Sequence, residues 1–159
     1  MAGEGKFIDG LMVGDVIVSG DVTSGGAVGG KVPVATLAAT KQVLASESGT
    51  TFFLAHATEF VTTLPPVAAG LNYRFVCKLA PAGANYTIVT PGLANLLIGH
   101  VVCIADGNGT TSATAGDTIS FVGSSAVVGD YVDLVCDGTS WYVSGIAAVA
   151  AGITLTAAD

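Results

Sequence analysis

The chain has 159 residues, 51% of them apolar and only 11% Asp, Glu, Lys or Arg, against about 25% charged in an ordinary soluble domain. Twelve acids outweigh five scattered bases, Lys6, Lys31, Lys41, Arg74 and Lys78, for a net charge of −7, which argues against nucleic acid as a partner because phosphate binding needs clustered Lys and Arg. A surface so poor in charge predicts burial against copies of itself or against another protein, and the length suits one domain with a core and an added arm.

MAGEGKFIDG at the start lacks the basic opening and apolar run of a secretory leader. No apolar stretch approaches the roughly 20 residues that cross a bilayer. The expectation is a protein made in the cytoplasm, with no membrane partner. Residues 1–46 stand apart by composition. GLMVGDVIVSGDVTSGGAVGGKV is Gly-rich and holds one predicted strand, Val13–Val18. In VPVATLAATKQVLAS, Val34, Leu37, Lys41 and Leu44 approach helical spacing, but Pro33 and the β-branched residues favour an extended chain. Such a segment cannot build its own core, so 1–46 is expected to pack as an arm or accessory strands, with the main domain at 47–159. Within the arm, GGAVGGK (25–31) follows the GxxxxGK of a phosphate-binding loop. Val32-Pro33 then replaces the magnesium-binding Ser or Thr and the helix start, so a Gly-rich turn is expected.

From residue 50 onward the runs TTFFLA, EFVTTL, YRFVCKL, YTIVT, LLIGHVVCIA, DTISFVG, DYVDLVC and SWYVSG alternate with Gly, Pro, Asn and Asp. Their spacing of about ten residues predicts an all-β fold, an antiparallel β-sandwich of jelly-roll type or a small β-barrel. In the run from Tyr73 to Leu79, residues 73, 75, 77 and 79 are expected to face the core, with Arg74 and Lys78 outside. Turns are marked by Pro65-Pro66, Gly70-Leu71-Asn72, Pro81-Ala82-Gly83, Pro91-Gly92 and Asp137-Gly138. ADGNGTTSATAGD, residues 105–117, reads as the longest polar loop, exposed and mobile, and Gly152–Thr156 as a last short strand.

The residue types that carry chemistry do not converge in the sequence. Cys77, Cys103 and Cys136 are odd in number, form no CxxC and lie in apolar runs, which predicts buried free thiols. Asn85-Tyr-Thr and Asn108-Gly-Thr fit the glycosylation pattern but, without a leader, mark only polar loops. Asp106, Asn108, Thr110 and Asp117 fall at positions 1, 3, 5 and 12 of a calcium loop, yet Thr111 replaces the required Gly and Asp117 the usual Glu, so an ordinary loop is expected. His56 with Glu59, and His100 with Cys103, are offset by three, which on a strand sends side chains to opposite faces. No nucleophile elbow or zinc pattern is present. The densest acidic stretch is VVGDYVDLVCDGTSWYVSG, residues 127–145. Strand parity turns Val132, Leu134 and Cys136 to the core and Asp133 outward, while Asp137-Gly138 supplies a hairpin turn. Two carboxylates acting on one substrate must lie within about 10 Å of each other and face it, and aspartates spread over a strand start, a face and a turn do not. No catalytic, cofactor-binding or metal-binding residue is assigned, and the chain is read as not an enzyme.

The same runs form a recognisable grammar: SG-x-x-F-x-L, V-T-L-P, G-L-x-Y-x-F, Y-x-I-V-T, and the hairpin GD-x-x-x-L-x-x-DG-x-x-W-Y-x-x-G, carried by residues 48–90 and 116–145. This resembles a β-sandwich module of tailed-phage virion proteins. The compact length with a Gly-rich arm is similar to capsid decoration, or cement, proteins. The resemblance implies a homotrimer on the outer capsid surface of the virion, with the major capsid protein as partner and shell stabilisation as the role. Its alternative is a tail or fibre domain that binds a receptor or glycan through surface aromatics such as Trp141, Tyr142 or Tyr86. It brings no ligand or catalytic residues with it.

Overall fold

The computed structural model describes residues 31–105 and 110–157. Within them the chain forms twelve strands and two short 3-10 turns, Ala45–Glu47 and Pro91–Leu93. Seven strands make one sheet, in the order β1 (Val34–Leu37), β3 (Thr51–Leu54), β5 (Asn72–Cys77), β10 (Tyr131–Cys136), β11 (Trp141–Ala147), β7 (Leu97–Cys103) and β8 (Thr110–Gly116). Five make the other, in the order β12 (Ile153–Thr156), β9 (Thr118–Phe121), β6 (Tyr86–Val89), β4 (Phe60–Thr63) and β2 (Lys41–Gln42). The two sheets enclose a single apolar core, so the predicted all-β sandwich is the fold.

The sheets are mixed, not purely antiparallel, and the cause is the order in which the chain visits them. From β1 to β6 each successive strand joins the opposite sheet. Strands that neighbour within a sheet are therefore two apart in sequence, and two reversals restore the direction. β1, β3 and β5 run parallel, as do β2, β4 and β6, and β7 runs parallel to β11. Among the described residues, consecutive strands pair as hairpins only at β7–β8 and β10–β11. Pro65-Pro66 and Pro81-Ala82-Gly83 mark arches between the sheets rather than hairpin turns. Each arch passes the chain through the intervening strand, which serves as the long crossover that parallel pairing requires.

Period-two alternation fills the core from both sides. Phe52, Leu54, Phe75, Val132, Leu134 and Trp141 point inward from the seven-stranded sheet, and Phe60, Tyr86, Ile88, Ile119, Phe121 and Ile153 meet them from the other. Phe52 stacks on Phe75 at 5.3 Å between ring centres, and Tyr73 lies 5.7 Å from Trp141. The Tyr86 hydroxyl, deep in the core, donates to the carbonyl of His56, with that of Leu79 3.1 Å away. Arg74 and Lys78 are exposed as expected. Leu79 differs from expectation: β5 ends at Cys77 and leaves Leu79 47% exposed.

One further difference concerns an end of the sandwich. The expected polar loop at 105–117 is in part strand β8, which pairs with β7 in the register His100↔Ser112 and Val101↔Thr111. Its Thr, Ser and Ala side chains are small enough to lie against β12, where the Thr111 hydroxyl accepts the Leu155 N–H at 3.1 Å. Residues 34–42, within the segment expected as an arm or accessory strands, supply edge strands to both sheets. The expected strand Val13–Val18 and the Gly-rich residues 25–30 lie outside the described residues.

Candidate functional site

The stretch 127–145 folds as the expected hairpin, and its three aspartates face three different surroundings. β10 and β11 pair from Tyr131↔Ile146 to Cys136↔Trp141, with Val132, Leu134 and Cys136 buried. Asp133 points outward opposite Arg74 on β5. Its two oxygens accept the Nε and Nη2 hydrogens of that guanidinium, both at 2.6 Å. Arg74 also lies 4.9 Å from the Tyr131 ring centre. The pair is open to solvent, so it contributes about 1 kcal/mol or less. Asp130 is buried, and its carboxylate accepts the backbone N–H of Val127 at 3.0 Å and of Ala148 at 2.8 Å.

Asp137 closes the hairpin. Its Oδ1 accepts the Ser140 N–H at 2.8 Å, the Thr139 N–H at 2.7 Å and the Thr139 hydroxyl at 2.8 Å, while Gly138 takes φ +102, the left-handed conformation that the turn requires. The Ser140 and Thr139 backbone donors, helped by the Thr139 and Tyr142 hydroxyls, hold the carboxyl down to about 2. A carboxyl depressed in the folded state stabilises the fold above its unfolded value, about 3.9, and that contribution disappears as pH falls toward 2. Carbon-detected NMR titration is expected to place the Asp137 midpoint near 2. Asp137→Ala should flatten part of the loss of stability between pH 4 and 2 measured by urea unfolding.

None of the other residues singled out from the sequence gathers into a reactive centre. His56 Nδ1 accepts the Thr58 N–H at 3.0 Å in a local turn, and its ring meets Phe60 edge-on. His100 lies exposed on β7 while Cys103 is buried, as their offset of three requires. Cys77, Cys103 and Cys136 are free and buried, and burial, with Asp130 nearby, pushes the Cys77 thiol up to about 11. Of the calcium-like positions, Asp106 and Asn108 lie outside the described residues. Thr110 opens β8, and Asp117 follows its end, about 20 Å further along an extended chain. Asp117 is buried, and its Oδ1 accepts the Thr118 hydroxyl at 2.6 Å. Among the described residues no group of three or more His, Cys, Asp and Glu is placed to hold a metal ion. A cleft of about 190 Å³ beside β7 and β12 is lined by Val101, Cys103, Thr111, Ala147 and Ile153 among others, with no charged side chain.

The surface that stands out is one that sequence reading missed, the outer face of the seven-stranded sheet. In register across it run Phe53, Val76, Tyr131, Ile146 and Val102, an apolar row with Val102 45% exposed at one end. A polar row, Thr51, Arg74, Asp133, Ser144 and His100, separates it from a further row of Asn72, Val135, Tyr142 and Ile98, in which Val135 and Tyr142 are about half exposed. The outer face of the five-stranded sheet carries Val61, Thr87, Ser120 and Thr154 in one row and Thr63, Val89, Thr118 and Thr156 in the next. The only sequence signal was apolar residues at non-core parity, such as Phe53 beside Phe52. Of the aromatics considered for sugar stacking, Trp141 and Tyr86 are fully buried and only Tyr142 is exposed.

Comparison with protein-family models, with curated proteins and with solved structures gives no match for this chain.

Proposed function

We propose that this chain is a virion structural protein, a capsid decoration protein that assembles as a homotrimer on the outer surface of a capsid and braces neighbouring capsid subunits. The observation that carries the reading is the row of partly exposed apolar side chains on the outer face of the seven-stranded sheet, in a chain with only 11% charged residues. Apolar side chains left at the surface of a sheet, in a chain this poor in charge, are ordinarily covered by assembly. The resemblance of residues 48–90 and 116–145 to phage virion sandwiches gives the assembly its context. Several weak contacts repeated over three copies raise avidity without any single strong site.

The reading is tested on the full chain by light scattering and by cosedimentation with expanded capsids of the parent particle. A mass of three copies and saturable binding to the capsid are expected. A strict monomer that ignores capsids would overturn the proposal, and glycan binding lost on Tyr142→Ala would replace it with a tail or fibre role.

A further inference from the structure

We infer that the outer face of the seven-stranded sheet is where copies of this chain bind one another. The inference rests on the assembly half of the reading above and not on its capsid half.

Three observations favour a second copy as the occupant. The first is area. Seven strands about 4.8 Å apart, with outward rows about 7 Å apart along them, give three rows a footprint of roughly 600 Å². Two copies then bury roughly 1,200 Å², the lower bound of stable specific interfaces.

The second observation is charge. The chain carries −7 overall, so two copies repel wherever unpaired acids meet. Among the described residues the acids at this face are Asp133, already held by Arg74, and Asp137, held at the hairpin turn by Ser140, Thr139 and Tyr142. Two like-charged chains can approach here with the least repulsion.

The third observation is asymmetry within the face. The β3–β5 side presents Arg74 and Lys78, with the Lys78 ammonium 6.0 Å from the Phe53 ring centre, whereas the β11–β7 side presents Tyr142, Ile146 and Val102 with the polar Ser144 and His100 between them. Laying like halves together would bring Lys78 of the two copies together, Arg74 being paired with Asp133. Placing the β3–β5 half of one copy on the β11–β7 half of the next sets cations against an aromatic and apolar surface instead.

The test is the mass and self-association of the full chain in Val102→Asp and Val135→Asp, with Val61→Asp on the outer face of the five-stranded sheet as control. Circular dichroism reports folding, and Tyr142→Ser gives the same readout without a new charge should either Asp variant fail to fold. The face variants are expected to weaken self-association roughly 30-fold or more, the scale of an interface hot spot, and to give single copies at concentrations where the control keeps its mass. An oligomer of unchanged mass in all face variants overturns the inference. If their mass holds while capsid binding is lost, the face docks on the shell; the inference fails and the decoration role survives. A wild-type monomer overturns both.

Discussion

Trp141→Ala is expected to cost about 3–5 kcal/mol, the range for removing a large aromatic from a packed core. In a chain of this length that corresponds to a fall in melting temperature of roughly 10 °C or more. Trp141 is fully buried at the start of β11. It pairs in register with Cys136 on one side and Leu97 on the other, and its ring packs 5.7 Å from that of Tyr73. Truncation empties the place where the β10–β11 hairpin meets β7, and a rigid sandwich closes such a cavity only in part. Trp141→Phe should be far milder, about 1–2 kcal/mol, because it keeps the ring and loses only volume. The indole Nε1 has no hydrogen-bond partner among the described residues, so Phe removes an N–H whose burial is unfavourable. Urea unfolding followed by circular dichroism measures both. A Phe variant as unstable as the Ala variant would show that the indole nitrogen holds a bond that matters.

The contrast between the face of Trp141 and the pairing of its strand shows what a sequence can express. Residues 73, 75 and 77, and again 132, 134 and 136, alternate because each strand is half buried. That alternation is the same whether the neighbouring strand runs parallel or antiparallel. The inward faces of β5 and β10 were therefore legible, and the directions of pairing were not. Gly and Pro mark a change of direction without saying whether the chain folds back beside itself or arches across to the other sheet, so the interleaving of β1 to β6 left no local sign. β8 was hidden because Thr110 to Gly116 is polar and small, a composition shared by loops and by edge strands packed against a neighbouring sheet. The apolar outer row was hidden for a different reason. Phe53, Val76, Tyr131, Ile146 and Val102 each contribute one residue from five separate strands, and only the register aligns them.

Asp130 sharpens the same point, since a carboxylate in an acidic stretch suggests chemistry and here does structural work. Its side chain is the shared acceptor for two otherwise unpaired backbone donors, Val127 N–H before β10 and Ala148 N–H after β11. Its own carbonyl accepts the Cys77 N–H at 2.8 Å. The residue thus ties three connections together at one end of the seven-stranded sheet. Asp130→Ala leaves two part-buried N–H groups without an acceptor, for an expected loss of about 2–4 kcal/mol. Asp130→Asn retains one acceptor oxygen and should recover about half of that. Hydrogen exchange at the Val127 and Ala148 amides should quicken in the Ala variant ahead of global unfolding, because those two bonds close the local connection. A loss under about 0.5 kcal/mol, the ordinary range for a surface substitution, would show that water or another group satisfies these donors as well as the carboxylate does. If Asp130 serves the fold alone, the Asn variant should keep the wild-type mass and capsid binding.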